Sequence, residues 1–583
     1  MCLYMCITGI GPNCLGVINT DPEVMLNASF AREMPEEGSI AFLSQSGALC
    51  TAVLDYARAK HIGFSKFVST GNKAQITEAE LLYYLKDDPM TRVVLLYLEE
   101  IRDGQGLMKA AREVIEAGKP VLAIKSGRTS EGASAASSHT GSLAGSDDIC
   151  DAALRQAGII RCQTIEEMFN KAIAFNYQPL PESNRIAIVT NAGGPGVLTT
   201  DAAVDEGLKI ASFEPDTTAF LKKKLPNTAN IKNPIDVIGD ARADRYDWAV
   251  SAVLEDPNVD GVFVILTPQS MTEIDSIAQQ ICELSKRNSK PIYTSFMGEA
   301  DVASGIDILQ KNHIPHYILP ESMCTAFGAT SLFKQQLGEK LEPFEPLKDV
   351  DKGAAHRILD RAIENDQTWL PEDQAVEVLK AYGIPLYESA VAADPAEAVK
   401  AAGQLGYPVV IKVISDDIIH KSDVQGVVLN VDSPEVVARE CEEMLERIRK
   451  AQPDARIKGF FVRKMIPPGE EVILGIKRDD TFGPVVMFGF GGIFVELLKD
   501  VSFGIAPVDP KTVDRMITGL KASPLFSGLR GRAPGDMASV RDCIRRLSQL
   551  AMECPQIREL DINPLIVLQD GKGSFAADAR IIL

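Results

Sequence analysis

Two stretches of this chain share one outline, and that repetition limits the available folds more than any other feature. Ser39-Ile40-Ala41-Phe42-Leu43-Ser44 is a short apolar run leading into Gln45-Ser46-Gly47-Ala48-Leu49. Arg185-Ile186-Ala187-Ile188-Val189-Thr190 leads in the same way into Asn191-Ala192-Gly193-Gly194-Pro195-Gly196-Val197-Leu198. Further on, Gly261-Val262-Phe263-Val264-Ile265-Leu266 parallels Val93-Val94-Leu95-Leu96-Tyr97-Leu98, and Lys290-Pro291-Ile292-Tyr293 parallels Lys119-Pro120-Val121-Leu122. Residues 154–168 and 309–323 align without a gap, each reading as a helix end, a short strand and a helix start. Continuous apolar runs between helical segments predict parallel strands buried on both faces. One supersecondary plan is therefore used twice. Right-handed crossovers make each copy a flavodoxin-like, doubly wound parallel sheet.

At 583 residues the chain has room for about three to five domains. Its net charge of −20 argues against a non-specific nucleic-acid binder and against a polybasic membrane binder. No run approaches the ~20 apolar residues of a membrane helix, and no Lys or Arg precedes Arg32, so a secretory leader is not expected. Eleven cysteines without a CxxC pair read as reduced thiols of a cytoplasmic protein. Six histidines make a His-rich metal site an unpromising idea.

The chemistry-bearing positions lie where strands end. A strand running into Ser-x-Ser-Gly at a helix start offers free N–H groups and a positive dipole end to an anion, which singles out Ser46 and Gly47. An ordinary serine cap is the plainer alternative. Gly193, Gly194 and Gly196 open the equivalent helix of the second copy. Glu99 stands at the carboxyl end of a predicted parallel strand, where such sheets bind ligands; its neighbour Glu100 reads as a surface acid. After the apolar run ending at Lys125 comes Ser137-Ser138-His139-Thr140-Gly141-Ser142-Leu143-Ala144-Gly145-Ser146-Asp147, one histidine among small residues. Small side chains leave backbone N–H groups open to an anion; a plain Ser/Gly/Ala surface loop has the same composition.

That segment, from Ala135 to Asp147, resembles the phosphohistidine segment of the NDP-forming acyl-CoA synthetases, the ADP-forming acetate–CoA ligase group related to succinyl-CoA synthetase. The resemblance implies that His139 is phosphorylated in turnover, that Glu99 steadies it, and that the helix starts at Gln45-Ser46-Gly47 and Gly193-Gly194-Pro195-Gly196 bind its phosphate. The family has glycine where Glu100 stands. Gly11-Pro12-Asn13-Cys14-Leu15-Gly16 is similar to the family's junction after its CoA-binding domain, of which residues 1–20 are expected to be a remnant. The run Asn233-Pro234-Ile235-Asp236-Val237 also matches, with no role evident.

The resemblance continues to the carboxyl terminus. Gly406-Tyr407-Pro408-Val409-Val410-Ile411-Lys412 looks like an ATP-grasp strand whose lysine meets nucleotide phosphates. His420, in a segment similar to a mobile family loop, is implied to relay phosphate; Gln425 departs there from a family glycine. Glu471 would lie near the ribose, and Glu496 follows the glycine-rich Phe488-Gly489-Phe490-Gly491-Gly492. Asn563 before a proline and Asp578 on a later strand supply hard oxygens suited to Mg²⁺ on nucleotide phosphates. The implied activity is ligation of a small carboxylic acid to CoA with ATP, yielding ADP, through a phosphohistidine and an acyl phosphate. The alternatives are a nucleotide- and acyl-CoA-sensing regulatory protein and a chain competent only for phosphoryl transfer. The expected division is a first flavodoxin-like domain at 21–178, a second at 179–336, a charged linker at 337–367 and an ATP-grasp domain at 368–583. A homo-oligomer, or association with a separate CoA-binding domain, is the expected assembly.

Overall fold

The computed structural model describes residues 8–132, 134, 146–338, 344–415, 417–418, 424–491, 500–528 and 533–583. These fall into two compact units. The first takes in 8–134 and 157–338; the second takes in 146–156 and 344–583.

Two parallel sheets build the first unit. In one, the strands run in the order Phe64–Ser69, Glu37–Ser44, Val93–Leu98, Val121–Lys125, Ile160–Arg161, which is 2-1-3-4-5 in sequence order. That is the flavodoxin order, with the switch point beside the first strand. An antiparallel pair, Gly16–Asn19 and Leu26–Ser29, extends the sheet at the second strand's side. The other sheet repeats the plan around Arg185–Thr190, Gly261–Leu266 and Ile292–Phe296. Its fifth strand shrinks to a parallel bridge between Thr294 and His316.

The strands are buried on both faces, as their unbroken apolar character requires: in the first half Phe42 stacks on Phe67 and Phe169, and Phe64 meets Phe67 and Phe169 edge-on. In the second, Phe263 and Tyr293 stack and Phe327 packs edge-on against both. The helix Ile165–Tyr177 serves both cores: Phe169 packs into the first, Ala174 into the second. Its Thr164 cap accepts a hydrogen bond from Glu167 N, and Glu166 and Glu167 suit the positive end.

The second unit is built on antiparallel sheets, one in the order Ser389–Ala392, Ile457–Lys464, Val409–Ser415, Val427–Val431. The larger sheet runs Trp369–Leu370, Ala579–Ile582, Glu559–Val567, Glu470–Asp479, Gly483–Phe490, Val501–Ile505. Trp369-Leu370 is an edge strand, and a helix begins at Glu372. Two details depart from the sequence reading. The stretch read as a linker contains the helix Lys352–Glu364, whose Ala355, Leu359 and Ala362 are buried in the core of the larger sheet. Its charged residues mark an amphipathic outer face rather than a solvated connection. Finally, the helix Asp147–Gln156, counted by sequence with the first domain, groups with the second unit. There the Gln156 side chain donates to Ile505 C=O and accepts from Ile505 N–H, both at 2.8 Å, satisfying the last residue of the edge strand Val501–Ile505.

Candidate active site

The two strand-to-helix turns of the first unit have the same internal bonding. In the first, Ser44 Oγ donates to Ser46 C=O and accepts from Ser46 N–H, both at 3.1 Å. In the second, Thr190 Oγ1 makes the same pair with Ala192, at 3.0 and 3.1 Å. The residue between them is an amide each time. Gln45 Oε1 accepts from Glu99 N–H at 2.7 Å and Glu100 N–H at 2.8 Å. Asn191 Oδ1 accepts from Thr267 N–H, and its Nδ2 donates to Thr267 C=O, both at 2.9 Å. Each amide thus ties its turn to the carboxyl end of the neighbouring strand. The paired turns bear out in geometry the duplication read from sequence.

The helix starts differ. Ser46 caps Gly47–Ala59, its hydroxyl accepting from Leu49 N–H at 3.3 Å. Gly193–Asp205 has Ala192 at its cap with no side-chain bond, and a Cβ at Gly194 would meet open space. Gly71, at φ +54, lies so near residues 12–13 that a Cβ would sit 2.2 Å from Pro12 C=O. That close approach fixes the 11–15 segment beside Gly47, and Leu15 N–H donates to Ser69 Oγ at 3.0 Å. Glu99 sits half-buried at the end of Val93–Leu98. Glu100 pairs with Arg102 at 3.5 Å on the partly exposed side.

In the second unit Lys412 is buried at the middle of Val409–Ser415. Its Nζ lies 3.1 Å from Asp578 Oδ2 and 3.0 Å from Glu372 Oε1. Arg463 approaches the same Glu372 at 3.9 Å and donates to the Ala576 and Ala577 carbonyls at 3.2 and 2.5 Å. Burial pulls the Arg463 guanidinium below its ordinary value, against the attraction of Glu372 and Asp578. Lys412 and Asp578, chosen from sequence, are therefore brought together. Asn563 lies on Glu559–Val567 with an exposed side chain, its N–H donating to Asp578 C=O at 3.3 Å. Glu471 is exposed on the adjacent strand, opposite Ile566. His139, His420 and Glu496 lie outside the described residues.

The donor set fits a hard cation. Asp561 is pushed up to about 6, first by burial and then by Glu559 and Asp578, with Arg580 opposing. Burial is the larger cause, and only the smaller part, the repulsion from Glu559 and Asp578, is what a divalent ion would relieve. Among the described residues no cluster of three or more His, Cys, Asp or Glu could hold a metal. An ion held by few side chains and by phosphate oxygens is the Mg²⁺ pattern.

Sequence reasoning missed Glu372, Arg463, Asp561, Lys73 and Glu78. Charged residues read by default as solvated. Their pairing partners are distant in sequence, so no local spacing marks them.

Comparison with known proteins agrees with this architecture. Residues 37–175 match the succinyl-CoA ligase like flavodoxin domain, 186–334 the ligase-CoA domain and 361–583 an ATP-grasp domain. The chain is 42% identical over 576 residues to an ADP-forming 4-hydroxybutyrate–CoA ligase of Nitrosopumilus maritimus, covering 98% of this chain and 82% of that one. It is 40% identical over 580 residues to an ADP-forming acetate–CoA ligase of Archaeoglobus fulgidus, with the same coverage. Among solved structures, an acetyl-coenzyme A synthetase of Ca. Korarchaeum cryptofilum in complex with phosphate and ADP aligns with a TM-score of 0.56 at 34% identity. That alignment covers 59% of this chain and 75% of the other. Duplicated flavodoxin-like halves, an ATP-grasp unit and near-complete matches to such ligases place the chain in the family of ADP-forming acyl-CoA synthetases.

Proposed function

We propose that this chain interconverts a small carboxylic acid, CoA and ATP with acyl-CoA, ADP and phosphate, and that His139 carries the phosphoryl group between two sites. One observation carries the reading. The strand Val121–Lys125 before the His139 segment belongs to the first unit, and the helix Asp147–Gln156 after it belongs to the second. The histidine is thus tethered to both the duplicated sheets and the ATP-grasp unit.

In the second unit Lys412 binds the nucleotide phosphates, Glu471 and Glu496 bind the rest of the nucleotide, and Asn563 with Asp578 hold Mg²⁺. Bound Mg²⁺ supplies charge neutralisation at the phosphates. Lys412 and Asp578 neutralise each other at 3.1 Å, so they exchange this pair for phosphate and cation together. His420 takes part in passing phosphate to His139. In the first unit, N–H groups at Ser46-Gly47 and at Gly193, Gly194 and Gly196 receive the phosphate. Glu99 accepts a hydrogen bond from the His139 ring and holds it for transfer. The carboxylate oxygen then attacks phosphorus, the N–P bond breaks, and CoA sulfur displaces phosphate from the acyl phosphate. The protein works in the cytoplasm, as a homo-oligomer or with a CoA-binding domain.

The test is incubation with [γ-³²P]ATP and Mg²⁺ followed by peptide mapping. Acid-labile, base-stable label on His139 is expected, lost in His139→Ala. Asp578→Ala should abolish ATP-dependent labelling; labelling at the wild-type rate would remove Asp578 from the metal site.

A further inference from the structure

The first-half turn carries something its twin lacks. Gln45 Nε2 donates to Glu78 Oε1 and to Glu100 C=O, both at 2.6 Å. Lys73 Nζ donates to the same two acceptors, at 2.8 and 2.5 Å. The three side chains are 8%, 4% and 3% exposed respectively for Gln45, Glu78 and Lys73. Arg102 Nη1 in turn donates to Lys73 C=O at 3.1 Å. A buried ion pair is costly and weak evidence of stability, so its placement calls for another explanation. In the second half the amide binds Thr267 alone, and no acid stands at that strand end. The buried pair occurs only in the half that has Glu99.

We propose that Gln45, locked by Glu78 and Lys73, is the positioning residue that aims Glu99. Its Oε1 gathers the N–H groups of Glu99 and Glu100, while its Nε2 and Lys73 Nζ hold the Glu100 carbonyl. Both sides of the Glu99–Glu100 backbone are thereby fixed, which leaves the Glu99 carboxylate only its own rotamers. Glu78 orients the amide: a carboxylate accepts only from Nε2, so Oε1 must face Glu99. Lys73 Nζ, 2.8 Å from Glu78 Oε1, holds that carboxylate in place. The inference rests on the role proposed above for Glu99.

The test uses the full chain and acetyl phosphate as phosphoryl donor. In that step the N–P bond at His139 forms as the acyl O–P bond breaks, and acetate leaves with the bonding pair. Gln45→Glu places two carboxylates at 2.6 Å contact and removes the Nε2 donor. It should slow labelling from acetyl phosphate by roughly tenfold to a hundredfold, against no more than about threefold for labelling from ATP. The swap Gln45→Glu/Glu78→Gln restores a donor between the two side chains but not the one to the Glu100 carbonyl, so it should recover part of the lost rate. Failure of the swap to rescue while its melting temperature matches wild type would overturn the proposal, as would equal slowing of both labelling reactions. Glu99→Gln serves as the separate arm. If it leaves acetyl phosphate labelling intact while Gln45→Glu slows it, Gln45 does not act through Glu99. If His139→Ala still labels, it is the phosphohistidine reading that fails.

Discussion

The two halves of the first unit use one plan, yet they support the central strand differently. In the first half, Phe64–Ser69 runs beside Glu37–Ser44 almost throughout its length. In the second half that neighbour is broken in two. Lys209–Ile210 pairs with Arg185 and Ile186, and Ile235–Asp236 pairs with Val189 and Thr190. Asn233 fills the gap: its Oδ1 accepts from Ile188 N–H at 3.0 Å, and its Nδ2 donates to the Ile186 and Ala211 carbonyls at 2.8 and 3.0 Å. A side chain stands in for a missing length of strand. The Asn-Pro-Ile-Asp run therefore has a structural role, and Asp236 at its end brings Oδ2 to 3.5 Å of where a Gly193 Cβ would lie. A duplicated sheet can lose part of a strand if one polar side chain inherits its hydrogen bonds, and the freed chain is then available to approach the glycine-rich turn.

The largest effect on this comparison comes from the residue that only one half has. His139→Ala should remove acid-labile label and acyl-CoA formation completely. Asn233→Ala comes next. Three backbone groups lose the Asn233 side chain; the Ile186 carbonyl keeps Ala211 N–H at 2.9 Å, so Ile188 N–H and Ala211 C=O bear the loss, and a buried backbone group left unpaired costs about 1–3 kcal/mol, less where water enters. The loss should be roughly 2–4 kcal/mol in denaturant unfolding. A loss under ~1 kcal/mol would mean that Lys209–Ile210 and Ile235–Asp236 sustain the strand unaided.

The fold was legible where strands are apolar on both faces. Val93–Leu98, Arg185–Thr190 and Gly261–Leu266 end where the sequence places them. Such runs have no solvent face to blur the pattern. Helix Lys352–Glu364 was not legible as part of the core, because only one stripe of a charged segment is buried. At the site, motif resemblance located Lys412 and Asp578, which the structure brings within 3.1 Å. It gave no sign of Glu372, 40 residues from Lys412 in the chain, which contacts the same ammonium at 3.0 Å. Long-range buried charge pairs leave no local trace. His139, His420 and Glu496, also chosen by resemblance, fall outside the described residues.

The fifth-strand position tests the comparison by pH. The gapless alignment puts Arg161 of the first half opposite His316 of the second. His316 is buried, its Nε2 lies 3.3 Å from Phe296 C=O, and its value falls to about 4, mainly through burial, with Lys60 adding to the shift. The folded state therefore keeps the ring neutral, while the unfolded chain protonates near 6.5. A depressed base contributes stability above pH 6.5 that is lost as pH falls towards 4. His316→Gln should flatten the fall in melting temperature between pH 6.5 and 4 relative to wild type and change little above pH 7. Parallel curves for the two proteins would show that water reaches the ring.

The smallest effect comes from the helix caps and bears most directly on function. Ser46 spends its hydroxyl on Leu49 N–H, whereas Ala192 leaves the start of Gly193–Asp205 without a side-chain partner. Ser46→Ala should cost about 1 kcal/mol, the usual value of a serine cap. Ala192→Ser should recover a comparable amount if the uncapped start is merely a missed opportunity for stability. If that start is kept open for phosphate, the added hydroxyl competes with the anion for the same N–H groups. Ala192→Ser should then raise the melting temperature in buffer yet raise it less in the presence of phosphate, and it should weaken acetyl phosphate labelling through KM more than through kcat. Ser46→Ala should leave that KM nearly unchanged. A gain in stability with unaltered phosphate response would make the two helix starts equivalent, and the contrast between the two turns would then lie in Glu99 and its buried support.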